Sequence, residues 1–144
     1  MFLDPSDENV RRLIERDIQG PVSMLNMLRF RDVASYSNSP ELAPDEPISG
    51  SAAYELYIEH TLPYLLATGG TVEFIGDGGH YFVGPDDERW DLVMVVRQNS
   101  VADFFSFASN AEYLRGVGHR TAALEDSRLL PLVSRSTPTP GGSG

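Results

Sequence analysis

VSMLNMLRF, residues Val22–Phe30, decides how the rest of the chain is read. It is a nearly unbroken apolar run, too short for an ordinary helix and preceded by the breakers Gly20 and Pro21, so it reads as a strand buried on both faces. With a period of two, Val22, Met24, Asn26, Leu28 and Phe30 share one face, and Ser23, Leu25, Met27 and Arg29 share the other. A second strand with the same character follows at Trp90–Arg97.

The remaining elements arrange themselves around these two strands. Upstream, Asp4-Pro5-Ser6-Asp7-Glu8 supplies caps and acids for a leading amphipathic helix carrying Val10, Leu13, Ile14 and Ile18. Downstream, residues 31–50 are rich in Ser, Pro and acids and form a long loop, either a lid over a site or a plain surface excursion. Residues 51–66 have helical spacing, with Tyr54, Tyr57, Ile58, Leu62 and Leu65 as the apolar stripe and Pro63 as a bend. After Gly69-Gly70, a strand from Thr71 is expected to turn through Asp77-Gly78-Gly79 into a second strand, His80–Val83. Ser100 and Asp103 mark a capping-box-like helix start, Asn110 caps another segment, and a glycine pair at Gly116 and Gly118 leads into a helix from His119 to about Glu125. Arg128–Val133 is a last strand whose Pro131 suits an edge position. Residues 136–144 contain Pro, Gly, Ser and Thr and are expected to be a disordered tail. The domain proper is then 21–135, behind a helix within 1–20.

This order is the split βαβ plan of a ferredoxin-like α+β fold, an antiparallel sheet with helices on one face. Strands that are apolar on both sides would leave the helix-free face as a large exposed patch, which predicts a homodimer.

Composition narrows the chemistry. The chain has 144 residues and a net charge of −10, its eleven basic residues are all arginine, and it contains no cysteine. A surface this acidic repels polyanions and anionic membranes, so no nucleic-acid or membrane partner is expected. Thiol chemistry, Schiff bases and Walker-type phosphate loops are excluded. No stretch approaches the roughly 18 apolar residues of a membrane span and no secretory signal is visible, so a soluble, cytoplasmic protein is expected.

Candidate functional groups are therefore few. His119 is the expected proton-transfer residue, with Asp91 as a partner or an alternative base; the competing reading is a surface or capping histidine. Asn26 is an amide on an apolar strand face, suited to orienting a substrate oxygen or to knitting the sheet to a neighbour. Arg29 would hold a carboxylate or form an ion pair across the dimer. Tyr54, Tyr57 and Trp90 would line an apolar pocket with polar tips, unless they are ordinary core, and Arg120 accompanies His119. His60 and His80 have weaker claims, and the Asp86-Asp87-Glu88 cluster reads as a solvated turn. No spacing of histidines suggests a metal site, and no cofactor is called for.

The stretch PVSMLNMLRFRDVASYS with Asn26, Leu28 and Phe30, the pair Tyr54 and Tyr57, GPDDERWDLV with Trp90 and Asp91, and HRTAALEDSRLLP with His119, Arg120, Asp126 and Ser127 together resemble the domain-of-unknown-function family 1330. The resemblance covers roughly Pro21 to Val133. It implies a dimeric α/β-barrel, in which the sheets of two protomers pair, and a substrate placed between sheet and helices. It implies no particular reaction. Two functions are expected to compete: a cofactor-independent enzyme acting on a small carbonyl or enolisable compound, and a non-catalytic dimeric module that binds a small ligand or only assembles.

Overall fold

The computed structural model describes residues 1–138, 140 and 141. Its elements run α1 (Asp7–Glu15), β1 (Val22–Phe30), α2 (Gly50–Ala67), β2 (Thr71–His80), β3 (Arg89–Gln98), α3 (Val101–Ala108), α4 (Ala111–Leu114), α5 (Val117–Ala123) and β4 (Leu124–Leu132). A short 3-10 turn at Pro40–Leu42 interrupts the long loop. The strands form one antiparallel sheet in the order β2-β3-β1-β4, the ferredoxin-like arrangement.

This sheet is single and open at both edges, so the expected second sheet and barrel are corrected. In one chain, four strands leave β2 and β4 each with an unpaired side. The expected tail over 136–144 falls partly outside the described residues, at 139 and 142–144.

β1 occupies the residues its apolar run marks, and β4 lies at the edge where Pro131 suits it. The expected hairpin at Asp77-Gly78-Gly79 does not form, because these residues continue β2 through to His80. A two-residue hairpin needs positive φ at one or both central residues, and none of Gly76, Gly78 or Gly79 has it. The connection to β3 falls instead at 81–88, around Gly84-Pro85.

Register separates the two faces of the sheet. On one, Ile75, Met94, Asn26 and Leu129 stand side by side across the strands, with Met24 and Leu28 flanking Asn26. This face packs under α2 through Ala53, Tyr54, Tyr57 and Leu65, with Phe107, Tyr113 and Ala123 closing the core. On the other face Phe74, Val95, Leu25 and Leu130 form the equivalent row, with no helix over it, and Phe74 is 56% and Leu130 54% exposed. A register shift between Val72 and Phe74 places Phe74 there.

Serine and asparagine caps start the helices as their sequence positions suggest. Ser6 Oγ accepts from Asn9 N–H, Ser49 Oγ from Ala52 N–H, Ser100 Oγ from Asp103 N–H and Asn110 Oδ1 from Tyr113 N–H. α1 buries none of its residues. The N-terminal segment is nevertheless tied down. Phe2 N–H donates to Asp126 Oδ1 (2.8 Å), Ser127 Oγ to Phe2 O (2.5 Å) and Arg120 Nη1 to Leu3 O (2.7 Å).

The long loop is docked along its length. Arg31 N–H donates to Ala123 O (2.9 Å), Ser35 N–H to Ala122 O (2.9 Å) and Gly50 N–H to Arg31 O (3.0 Å). Gly118 makes room for it, since a β-carbon there would lie 2.7 Å from Leu42 Cδ1. Among the described residues, no helix is long and apolar enough to cross a membrane.

Candidate functional site

Three polar neighbourhoods grow out of this frame. The first is the aromatic cluster between α2 and the sheet. Phe30 and Tyr54 have ring centroids 5.5 Å apart, Tyr54 and Tyr57 5.1 Å, Tyr57 and Tyr113 6.1 Å, and Tyr113 and Phe107 4.5 Å. The buried hydroxyls of Tyr57 and Tyr113 bond to each other at 2.7 Å, and that of Tyr54 reaches Met94 Sδ at 4.0 Å. Burial first, then the neighbouring tyrosine hydroxyls, push the Tyr54 and Tyr113 phenols well above their ordinary range, although Arg120 pulls the other way. Apolar surface with few polar tips is the composition of a small-molecule site.

The second neighbourhood lies at the same end of β1, on the face that Arg29 shares with Met27 and, across the ladder, with Arg128 and Asp126. Trp90 is buried, with the guanidinium of Arg29 5.7 Å and that of Arg128 5.1 Å from its ring centroid, and its Nε1–H donates to Tyr81 Oη (2.6 Å). Asp126 holds both arginines, at 3.5 Å from Arg29 Nη2 and 2.8 Å from Arg128 Nη1. Burial would raise the Asp126 carboxyl. Hydrogen bonds from Phe2 N–H, Arg128 and Ser127 N–H, together with the Arg128 charge, outweigh it and hold the group below the usual carboxylate range.

The third is a cleft of about 570 Å³ lined by Phe30, Arg31, Asp32, Ser49, Ser51, Arg89 and Asp91. It sits where β1 runs out beneath the start of α2. Gly50 permits this approach, because a β-carbon there would collide with Arg31 O and lie 2.6 Å from Ala123 O. Phe30 joins the cleft to the aromatic cluster through its contact with Tyr54.

The residues singled out from sequence are distributed among these places. Asp91 lines the cleft, where its Oδ2 accepts from Phe30 N–H (2.8 Å) and its Oδ1 from Arg89 Nε (3.3 Å). His119 lies elsewhere, its Nδ1 sharing a 2.7 Å hydrogen bond with the Tyr36 hydroxyl; no hydrogen bond joins it to Asp91. Burial, and then the charge of His60, lower the His119 pKa below its ordinary value. Asn26 Nδ2 donates to Met24 O (3.1 Å) within its own strand. Arg29 makes its ion pairs inside the chain, with Asp126 and Glu125, and Arg120 Nη2 reaches Ser127 Oγ at 3.3 Å. Tyr54 and Tyr57 share the core, and Trp90 stands among the arginines. His60 Nε2–H donates to Glu112 O (2.8 Å). Among the described residues, no group of three or more His, Asp or Glu side chains is placed to hold a metal ion.

Several lining or bridging residues escape a sequence reading. Tyr36 and His119 are 83 positions apart, so no local pattern couples them. Arg31, Ser49 and Ser51 flank a loop whose two ends meet only in three dimensions. The helix-start serine at position 49 was the one available signal.

Comparison with known proteins follows the same line. The chain is 33% identical to the methylated RPA0582 protein, covering 98% of each chain at a TM-score of 0.81. It is 35% identical to the RPA0582 protein of unknown function from Rhodopseudomonas palustris, covering 93% of this chain and 97% of that one at a TM-score of 0.80. Similarity to At3g17210 from Arabidopsis thaliana, at 10% identity, 82% and 99% coverage and a TM-score of 0.50, concerns the fold alone. No protein-family model matches the chain, and neither does any curated protein. The expected placement in family 1330 within a barrel-forming superfamily is therefore corrected: no family model carries it and the sheet does not close, whereas the ferredoxin-like plan stands.

Proposed function

The chain belongs to the family of the Rhodopseudomonas palustris RPA0582 protein, and from that premise we propose that it is a non-catalytic, homodimeric module holding a small molecule in the cleft beside Phe30. The observation that carries this reading is that the two candidate proton-transfer groups are apart: Asp91 lines the cleft with both oxygens bonded, and His119 is not among the residues that line it. Both Asp91 oxygens accept hydrogen bonds, from Phe30 N–H and Arg89, and His119 Nδ1 is held by Tyr36 in a setting that disfavours its charged form. A general base needs a free, basic nitrogen or oxygen within reach of the substrate's proton. The cleft offers shape and polar edges, and Phe30, held against Tyr54 behind it, gives it an apolar wall.

Homodimerisation rests on the bare sheet face. Phe74, Val95, Leu25 and Leu130 form an apolar row across all four strands, and Phe82 and Val83 stand exposed in the adjoining β2–β3 turn. A second copy of the chain is the occupant this surface suits, since a two-fold contact lays the same row against itself.

Light scattering at micromolar concentration should give the mass of a dimer, and Leu130→Asp should give a folded monomer. A wild-type chain that scatters as a monomer would refute the assembly. The non-catalytic reading fails if any metabolite is turned over by the wild type and not by His119→Ala or Asp91→Asn while the fold is retained.

A further inference from the structure

Arg31 stands out among the basic residues of this acidic chain. It is half-buried at the mouth of the cleft, its Nε is buried with no hydrogen-bond partner, and among the described residues it enters no ion pair. A guanidinium nitrogen buried without a partner costs free energy, and the rest of this guanidinium stands at the cleft with its charge unmatched. The neighbouring cation behaves differently, since Arg89 is matched by Asp91 at 3.3 Å.

We propose that the cleft binds a small monocarboxylate with an apolar or aromatic body, its carboxylate seated on the Arg31 guanidinium. This deepens the ligand-binding reading above and rests on it. The planar guanidinium fork matches a carboxylate with two parallel N–H donors. Its base is fixed from both sides, because Arg31 N–H donates to Ala123 O (2.9 Å) and Arg31 O accepts from Gly50 N–H (3.0 Å). Little backbone entropy is then lost on binding. Ser49 can assist: its Oγ already accepts from Ala52 N–H, which leaves the hydroxyl proton free to donate to an anion.

Charge argues for one negative charge rather than two. Two cations, Arg31 and Arg89, line the cleft against two acids, Asp32 and Asp91, and the whole chain carries −10. With Asp91 already matched by Arg89, Arg31 is the cation left to meet the ligand, and because Asp32 brings the cleft to a net charge of zero, each further negative charge on the ligand adds repulsion. Phe30, backed by Tyr54, supplies the apolar surface for the ligand's body.

Benzoate, its neutral counterpart benzamide and inorganic phosphate test this by nuclear magnetic resonance on the full-length 15N-labelled protein at constant ionic strength. Benzoate should shift the Arg31 Nε–H resonance and the amides of Asp32, Gly50 and Ser51 in a saturable way, with benzamide and phosphate each binding at least tenfold more weakly. Arg31→Gln should weaken benzoate at least tenfold, with Arg31→Lys between the two; if Arg31→Gln does not fold, Arg31→Lys and the wild-type Nε–H signal decide. Equal binding of benzoate and benzamide, or benzoate binding indifferent to Arg31→Gln, would overturn the carboxylate assignment and leave the ligand-binding reading standing. Tighter binding of phosphate than of benzoate would overturn the monoanion class. Silence from both benzoate and benzamide at tens of millimolar would remove both proposals together.

Discussion

The tyrosines beneath α2 and the arginines beside Trp90 belong to opposite faces of the same four strands, and their polar groups are paired by opposite means. Under α2 the pairing is neutral, with the Tyr57 and Tyr113 hydroxyls bonded to each other in an apolar core. Beside Trp90 it is ionic, with Asp126 holding Arg29, Arg128 and the Phe2 N–H at once. A neutral pair is indifferent to pH and worth about 1 kcal/mol. An ionic cluster is held by more bonds, and it weakens when its central carboxylate, Asp126, takes up a proton.

The strongest test of that contrast is Asp126→Ala, which removes the ion pair of Arg128, leaves Arg29 only Glu125 at 3.8 Å, and releases the N-terminal segment. About 3–5 kcal/mol of unfolding free energy should be lost in a denaturant titration at pH 7. Because the folded-state pKa of Asp126 is lowered, its contribution is fully present above the ordinary carboxylate pKa of about 4 and disappears as pH falls through the folded value. The difference between wild type and variant should therefore shrink in acid, and a difference that stays constant to pH 2 would contradict the ionic account.

Tyr57→Phe should cost less, about 1–2 kcal/mol, from leaving the Tyr113 hydroxyl unpaired. That loss should be the same at pH 4 and pH 8, which separates it from the Asp126 effect. The smallest expected effect belongs to His119. Its folded-state pKa is also lowered, so its contribution is full above about 6.5 and lost as pH falls below that value. His119→Gln should flatten the decline of thermal midpoint between pH 7 and 5; an unchanged slope would show that another group titrates there.

How much of this was legible in the chain depends on how local each signal is. β1 could be read to the residue because Gly20-Pro21 breaks the chain before it and its apolar run is continuous. Ser100 and Asn110 announced their helices because a cap acts over three residues. Asp77-Gly78-Gly79 misled because the same letters serve a tight turn or an extended edge strand, and only pairing with Leu92 and Trp90 decides between them. Barrel closure is a property of strands beyond a single chain's pattern, and β2 and β4 remain unjoined. Within the candidate site, Asp91 was recognisable as a carboxylate set in an apolar strand. Arg31 was not, because its distinction is a missing partner, and absence of a partner is visible only once all neighbours are in place.

The two unjoined edges carry a consequence for how this protein behaves when crowded. A free strand edge is a template onto which another extended chain can add, the first step toward fibres. Along β4, Pro131 has no N–H to offer and its carbonyl is taken by Arg16 Nη1 at 2.8 Å. Along β2, the irregularity between Val72 and Phe74, three glycines and the acids Glu73 and Asp77 make a poor template for a flat, growing ladder. Lateral growth is thus discouraged at both margins, and a chain that associates through the face of its sheet can remain soluble without being drawn into filaments.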